Sequence, residues 1–198
     1  DFKFTLQPSA LYLPLKWRKP RKIFVNSMSD LFHELMPDDY LEKCFTVMEK
    51  ADWHIYQILT KRPERMLRFI QKYGKIPNYI WLGTSVETAL YKPRIDVLRQ
   101  VDVKIRFISF EPLLESIGKV DLSGISWVIV GGESGSKHCP MDIKWVRELR
   151  EQCVSENVAF FFKQWGGTRP NSNGRKLDGK YWDEYPDTVP SYSGRPVK

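Results

Sequence analysis

Six short apolar runs recur along the chain, and each one ends in polar or charged residues. The runs span residues 23–27, 54–60, 80–85, 104–109, 127–131 and 159–164. Amphipathic helices are predicted between them, over residues 38–51, 63–73, 89–101 and 142–156. Strands that alternate with helices in this way predict βαβ units and a mostly parallel sheet, so the pattern indicates an α/β fold.

The two end segments differ from this pattern. Residues 1–22 contain three prolines and are predicted to form an extended strap on the core, with a half-buried strand signal at 2–6. Residues 167–198 are rich in Gly and Pro and predict an irregular tail, disordered over its last ten residues. We therefore expect one folded domain over 1–166 and a tail over 167–198. The aromatic residues expected to pin the tail back are Trp165, Trp182 and Tyr185.

Polar residues at the strand ends carry the functional hypothesis. In a parallel α/β sheet, ligands bind in the crevice at the carboxyl ends of the strands. The residues that follow the six runs are therefore expected to converge on one face. They are Ser27, Asp30, Thr60, Lys61, Arg62, Ser85, Glu87, Ser109, Glu111, Glu133, Lys163 and Gln164.

The acidic members of this set are candidates for holding a ligand. Glu87 and Glu111 follow the third and fourth runs at equivalent positions. Two inward carboxylates there suit a ligand amine, ribose hydroxyls or a metal ion. Asp30 is suited to accept a hydrogen bond from a ligand hydroxyl or amine. The alternatives are structural: Lys163 neutralises the glutamates, and Asp30 caps the next turn.

Glycines and cations at the strand ends suit an anionic group. The sequence VGGESGS ends the fifth run, where Gly131 and Gly132 would let a ligand approach the backbone beside Glu133. Exposed amides there would form an anion-binding nest, and the alternative is a turn that needs positive φ angles. Lys61 and Arg62 stand where a strand meets a helix N-terminus, a favourable place for a phosphate or carboxylate.

The charge of the chain favours an anionic partner. The net charge is +7 and the pI is about 9.2, which points to nucleic acid or a phosphorylated cofactor. Residues 16–22 hold five basic side chains around Trp17, and Lys16, Arg18 and Lys19 are candidate substrate contacts. Basic residues interleaved with an aromatic one suit single-stranded nucleic acid. A second basic cluster follows residue 60, and the alternative for both clusters is a solvated surface.

Cysteine usage and hydropathy indicate the compartment. Cys44, Cys139 and Cys153 are odd in number and widely spaced, which favours neither a disulfide framework nor a zinc site. Cys44 and Cys153 fall on apolar helix faces and are predicted core residues. No apolar run approaches the roughly 18 residues of a membrane span, and no signal peptide is recognised. We expect a cytoplasmic protein with no membrane partner, and the oligomeric state is left open.

Six stretches together resemble a known family. They are PRKIFVNSMSDLFHE (20–34), QILTKRP (57–63), WLGTSVE (81–87), FISFEPLL (107–114), VIVGGESG (128–135) and FKQWG (162–166). The chain resembles the phage-associated three-cysteine-motif proteins, a family of unassigned activity that is itself similar to radical S-adenosylmethionine enzymes. The stretches occur in the family's order and span nearly all of residues 1–166.

The resemblance implies a partial (β/α) barrel that binds S-adenosylmethionine and a [4Fe–4S] cluster at the strand carboxyl ends. The residues that it implies for cofactor or substrate contact are Ser27, Asp30, Thr60, Lys61, Ser85, Glu87, Ser109, Glu111 and Glu133. The family carries its cluster cysteines before the first residue seen here, and the three cysteines of this chain do not reproduce them. We therefore expect a fragment of a longer parent enzyme, inactive by itself.

Three functional hypotheses follow from the sequence. In the first, the chain is the barrel of a radical S-adenosylmethionine-like enzyme that acts on nucleic acid or a related anionic substrate. In the second, it is a non-catalytic basic domain that binds nucleic acid. In the third, it is a barrel enzyme without a cluster that uses Glu87 and Glu111 as acid and base.

Overall fold

A computed structural model of the chain describes residues 4–26 and 29–187. Its centre is a six-stranded sheet in which all neighbouring strands are parallel and the order follows the sequence. The strands are β1 (Lys22–Val25), β2 (Ile55–Thr60), β3 (Ile80–Ser85), β4 (Arg106–Phe110), β5 (Trp127–Gly131) and β6 (Ala159–Gln164). The helices are α1 (Pro8–Leu11), α2 (Leu13–Lys16), α3 (Asp38–Lys50), α4 (Pro63–Tyr73), α5 (Pro93–Arg99) and α6 (Ile143–Ser155). A 3₁₀ turn spans Ala89–Tyr91.

The sheet curls into a half-barrel. Lys22 of β1 places its ammonium 3.4 Å from the ring centre of Tyr185. That ring also packs against Trp127 of β5 and Phe161 of β6. The first strand and the last two strands therefore meet the same side chain, which requires strong curvature. The expectation of a partial (β/α) barrel with an irregular C-terminal tail is confirmed.

The two faces of the sheet hold two separate cores. The larger core packs α3 to α6 against the convex face of the sheet. On the concave face, Trp81, Ile105, Phe107, Trp127 and Ile129 form a second cluster, and all five are buried. Burying such rings on the inside of the half-barrel leaves the polar strand ends above them as the open part of the crevice.

Helix predictions agree with the structure where the pattern is long. The helices over 38–51, 63–73 and 142–156 are confirmed within one residue at each end. Asp142 caps α6, since its side chain accepts a hydrogen bond from the Lys144 amide. The predicted helix over 89–101 is interrupted instead. Its α-helical part begins at Pro93, because proline lacks the amide proton and fits only the first helical turn.

The prediction of an extended N-terminal strap is wrong for most of its length. Residues 4–7 have no regular structure, but Pro8 and Pro14 lie in the first turns of the short helices α1 and α2. Part of the predicted strand over 2–6 lies outside the described residues.

The C-terminal segment returns to the barrel as predicted. Asp183 forms an antiparallel bridge with Phe161, and the amide of Phe162 donates to the carbonyl oxygen of Trp182 at 2.9 Å. Residues 182–184 therefore cover the outer edge of β6. Trp165 packs on Phe162, so all three predicted aromatic anchors contact the domain. The last ten residues lie outside the described part of the chain.

Within residues 4–26 and 29–187, no helix is long and apolar enough to cross a membrane.

His54 joins the N-terminal segment to the sheet. The amide of Arg21 donates to His54 Nδ1 at 3.1 Å, so Nε2 carries the proton and donates to the carbonyl oxygen of Pro14 at 3.0 Å. The ring is 1% exposed and touches Trp17, Trp53 and Tyr56. Burial lowers the pKa of His54 below its usual value, because the charged ring would be poorly solvated there.

We expect acid to destabilise the protein through His54. A folded-state pKa below the unfolded value of 6.5 means that the unfolded chain binds the proton more readily, so stability falls as the pH drops below about 6.5. Urea unfolding at a series of pH values measures this slope. His54→Gln should remove much of the slope between pH 6.5 and 5, whereas the half-buried His138→Gln should leave it in place. An unchanged slope in His54→Gln would refute this assignment.

Candidate functional site

Two serines stand at the top of the concave face. Ser85 of β3 and Ser109 of β4 are register partners, and both are buried. They lie four residues after Trp81 and two after Phe107, so strand alternation directs them to the same concave face as those rings. Neither hydroxyl has a hydrogen-bond partner within the part of the chain that the structure describes. Buried hydroxyls with free hydrogen-bonding capacity suit a polar ligand.

Glu87 lies beside these serines and is 6% exposed. Its Oε2 accepts a hydrogen bond from Arg94 Nη1 at 3.1 Å, and the same nitrogen donates to the Ser85 carbonyl oxygen at 2.9 Å. Lys61 Nζ forms an ion pair with Oε1 but lacks hydrogen-bond geometry, so this buried oxygen accepts no hydrogen bond among the described residues. Because the Lys61 side chain is 56% exposed, a ligand amine or hydroxyl can take its place at Oε1.

Glu111 occupies the equivalent position after β4. Lys163 Nζ of β6 lies 2.9 Å from both carboxylate oxygens. The carboxylate rests against Gly131, where an added Cβ would come within 3.0 Å of it. The structure therefore contains the neutralising Lys163 that the sequence suggested as an alternative, but only for Glu111. The Glu111 side chain thus lies against the Gly131 backbone, at the place where a ligand was expected.

Asp30 binds the end of the neighbouring strand. Its Oδ1 accepts from the Phe32 amide at 2.9 Å and from Thr60 Oγ1 at 2.7 Å. Its Oδ2 accepts from the Lys61 amide at 3.1 Å and from Arg62 Nη1 at 2.9 Å. The carboxylate accepts four hydrogen bonds from the protein. In this structure Asp30 therefore has the structural role given as the alternative, which was to cap the next turn. Asp30, Thr60 and Arg62 form the wall of the crevice that holds Lys61 in position.

The glycine loop after β5 is a junction with the segment after β6. The Gly132 amide donates to the Gln164 carbonyl oxygen, and the Gly135 amide donates to that of Gly167, both at 2.9 Å. The prediction of an anion-binding nest is therefore wrong for these two amides, because both already have acceptors. Glu133 Oε2 accepts from the Cys139 amide at 2.8 Å and so closes its own loop.

Gln164 belongs to the same junction. Its side-chain nitrogen donates to Ser134 Oγ at 3.0 Å, and its side-chain oxygen accepts from the Asn171 amide at 2.9 Å. Both ends of the buried amide are thus engaged within the protein, and its predicted contact with substrate stays a prediction.

The structure separates the predicted residues into two groups. Lys61, Ser85, Glu87, Ser109, Glu111, Gly131 and Lys163 lie together at the carboxyl ends of the strands. Lys16, Arg18 and Lys19 precede β1 and therefore lie at the amino ends of the strands, so they cannot line the same crevice. Their predicted contact with substrate, if made, is therefore outside the crevice, and it stays a prediction. Ser27 lies outside the described residues.

The two basic clusters are unequal. In the second, Lys61, Arg62 and Arg65 are all in ion pairs with acidic residues, so the charge of these three is already neutralised. In the first, Lys16, Arg18 and Lys19 are exposed and have no acidic partner within the described chain. The Trp17 ring is already engaged, with the Arg21 guanidinium 4.6 Å from its centre and His54 against it. The predicted stacking platform is thus not free.

The cysteines do not form a cluster site. Cys44 and Cys153 are buried in α3 and α6, and burial raises the pKa of their thiols to about 11 and about 12. Cys139 is exposed in the loop after β5. Among the residues that the structure describes, no three His, Cys, Asp or Glu side chains come close enough to hold a metal ion. The residues present therefore do not fit a [4Fe–4S] cluster.

Arg94 is a residue of the candidate site that sequence reasoning missed. It lies in α5, seven residues after Glu87, and it fixes both that carboxylate and the backbone of Ser85. Its guanidinium also lies 4.0 Å from the ring centre of Tyr91. The only sequence signal is its proximity to a strand end, which many arginines share.

The fold and this site define a class: a parallel α/β half-barrel with hydroxyls, carboxylates and lysines gathered at the carboxyl ends of its strands. The chain belongs to the family described as "Protein of unknown function (DUF5131)", whose model matches residues 1–186. No curated protein and no solved structure matches the chain.

Proposed function

We propose that this chain is the ligand-binding half-barrel of a radical S-adenosylmethionine-like enzyme, and that S-adenosylmethionine binds at the strand carboxyl ends. One observation carries the proposal: the buried residues Ser85, Ser109 and Glu87 lie beside two half-exposed lysines, and neither the two hydroxyls nor Glu87 Oε1 has a hydrogen-bond partner among the described residues. The resemblance of the six strand-end stretches to that superfamily supports the choice of ligand.

The available atoms fit such a ligand. S-adenosylmethionine presents an ammonium, a carboxylate and two ribose hydroxyls, and its sulfonium is the reactive group that it supplies when bound. Glu87 Oε1 is an acceptor without a hydrogen bond and suits the ammonium or a hydroxyl. Lys61 and Lys163, with side chains 56% and 53% exposed, suit the carboxylate. Arg94 holds Glu87 in place while its other partner is exchanged.

No chemical step is assigned to this chain, because its described residues do not fit the cluster on which radical chemistry depends. Its own contribution is to bind and orient the ligand and to exclude water from the floor of the crevice. The apolar layer of Trp81, Phe107 and Ile129 forms that floor. Nucleic acid is the proposed substrate class, and the net charge of +7 supports it.

Equilibrium dialysis with radiolabelled S-adenosylmethionine tests the proposal on residues 1–198. Glu87→Gln and Lys163→Gln should each weaken binding about tenfold, because each replaces a charge-assisted contact with a neutral one. Glu64→Gln, on the exposed start of α4, is the matched control and should bind like the parent chain. Thermal unfolding of each variant confirms that it is folded. No binding, or binding that all three variants retain, would end the proposal.

The second candidate is a binding domain for nucleic acid without catalysis. The observation that favours it is the set of exposed cations Lys16, Arg18 and Lys19 without acidic partners in the described chain. It predicts oligonucleotide binding that weakens steeply with salt, with a log–log slope of about 0.7 per phosphate neutralised on a single strand. Charge reversal at these three positions should flatten the slope. Binding that is insensitive to salt would exclude this candidate. The third hypothesis, acid–base catalysis by Glu87 and Glu111, stays a prediction.

A further inference from the structure

A cavity of about 770 Å³ lies between β1 and the N-terminal segment. This volume is in the range of ligand pockets, roughly 300–1,000 Å³. Ile23, Phe24 and Val25 line one side, and residues 4–7, 10, 11, 13 and 14 contribute to the other. Successive residues of a strand point to opposite faces of a sheet, so three consecutive residues can line one cavity only along the edge of the strand. The cavity is therefore a slot beside the open edge of β1.

The backbone of β1 has free hydrogen-bonding groups in this slot. The Ile55 amide of β2 donates to the Arg21 carbonyl oxygen at 2.9 Å. In a parallel ladder, alternate residues turn both backbone groups to the same neighbour, so Arg21, Ile23 and Val25 face β2. Lys22 and Phe24 then turn their backbone groups to the side away from β2, and Phe24 lines the slot. Within the described residues, no other segment forms a hydrogen bond with the Phe24 backbone.

The two edges of the sheet are treated differently. The outer edge of β6 is covered by the extended residues 182–184 of the chain itself. Among residues 4–26 and 29–187, β2 is the one strand that pairs with β1, although an unprotected edge strand invites pairing with other chains. Lys22 does not guard this edge, because its ammonium lies over Tyr185 at the far side of the concave face. The edge of β1 is thus open to another strand.

The walls of the slot define what can enter. Its floor includes Tyr40, Cys44, Val47 and Met48 of α3, together with Leu31 and Met36. An extended peptide with alternating apolar residues can place one row of side chains on this floor. At the amino end of β1, the exposed cations Lys16, Arg18 and Lys19 have no acidic partner in the described chain. Acidic residues at one end of the peptide match that charge.

We propose that the edge of β1 is a docking site for an extended polypeptide segment that adds a strand to the sheet. Its backbone pairs with Lys22 and Phe24, its alternate apolar side chains enter the slot, and its acidic end lies against Lys16, Arg18 and Lys19. Recognition of this kind takes affinity from main-chain hydrogen bonds and specificity from alternate side-chain pockets. It is independent of the proposed function, whose site lies at the carboxyl ends of β2 to β6.

Fluorescence anisotropy with defined peptides tests the docking site. The probe is a labelled peptide of two aspartates followed by five alternating valines and threonines, together with the same peptide carrying its aspartates at the carboxyl end. Tighter binding of one peptide identifies a parallel or an antiparallel added strand, and either result supports the proposal. Methylation of alternate backbone nitrogens on the edge-facing side of the tighter peptide should weaken binding about tenfold or more.

Variants of the protein separate the backbone contact from the charge. Phe24→Pro removes an amide proton that faces the slot, a change that edge strands tolerate, and should weaken binding about tenfold. The double variant Arg18→Glu, Lys19→Glu should weaken binding of the acidic peptides by a similar factor. The loss should be smaller at high salt, because salt screens the charges. Arg68→Glu with Lys75→Glu, two exposed cations elsewhere, is the matched control and should have no effect.

The proposal is overturned if neither peptide binds, or if the N-methylated peptide and Phe24→Pro leave binding unchanged in folded protein. It is also overturned if an oligothymidylate of similar length binds at the Arg18 and Lys19 cations while both peptides do not. That last result would assign the cations to nucleic acid.

Discussion

Replacing Gly132 with alanine is expected to lower the free energy of unfolding by about 3 kcal/mol or more. A Cβ at this position would overlap the carbonyl oxygen of Trp165, which is backbone and cannot rotate away. Gly132 donates to the Gln164 carbonyl oxygen, so the clash would separate β5 from the segment after β6. Urea or thermal unfolding measures the loss.

Gly118→Ala provides the matched control. Gly118 has a φ of +66° and open space around its Cα, so alanine there meets backbone strain without a clash. That strain costs about 1–2 kcal/mol. If Gly132→Ala lowers the free energy of unfolding no more than Gly118→Ala does, the close contact between Gly132 and Trp165 is contradicted. Gly132→Ala should also weaken ligand binding at the strand ends, because the neighbouring Gly131 packs against the Glu111 carboxylate.

Replacing Asp30 with alanine should cost about 3–5 kcal/mol of unfolding free energy. The carboxylate accepts four hydrogen bonds, from the amides of Phe32 and Lys61, from the Thr60 hydroxyl and from the Arg62 guanidinium. Its removal leaves a partly buried cation without its partner and several donors unsatisfied. Asp30→Asn keeps one acceptor oxygen and should recover part of the loss. Chemical denaturation of the three proteins gives the order.

An exposed ion pair gives the comparison for Asp30. Asp39 pairs with Lys43 at 3.1 Å on the surface of α3, with both side chains more than half exposed. Exposed pairs of this kind contribute little to stability, so Asp39→Ala should be nearly silent. Equal effects of Asp30→Ala and Asp39→Ala would contradict the role given to Asp30 as the link between β1 and β2.

Much of the fold could be predicted from the sequence because it depends on local pattern. The central runs, which form β3, β4 and β5, are buried on both faces of the parallel sheet, which makes them continuous and easy to recognise. The errors fall where elements are too short for a period. α1 and α2 have four residues each, so no helical repeat distinguishes them from an extended strap. At residue 93 proline, rather than the apolar spacing, decided where the helix begins.

The candidate site could be predicted only in part. The alternation of side chains along a strand can be read from the local sequence, but the hydrogen-bond and ion-pair partners of those side chains cannot. Alternation and strand order place Ser85, Glu87, Ser109 and Glu111 together without any structure. The ion pairs that complete the site join residues far apart in sequence, as Lys163 joins Glu111. The glycine loop has the composition of an anion nest, but its amides are engaged by a segment about thirty residues further on. No local signal shows that engagement.

The central claim is that the strand ends of the half-barrel bind S-adenosylmethionine. Hydrogen–deuterium exchange of residues 1–198, with and without this ligand at saturation, tests it most directly. Protection should appear in the segments around 61, 85–87, 109–111 and 163, and segment 16–22 should not change. Protection confined to 16–22, or none at any ligand concentration, would contradict the claim and assign the strand-end groups to structure alone.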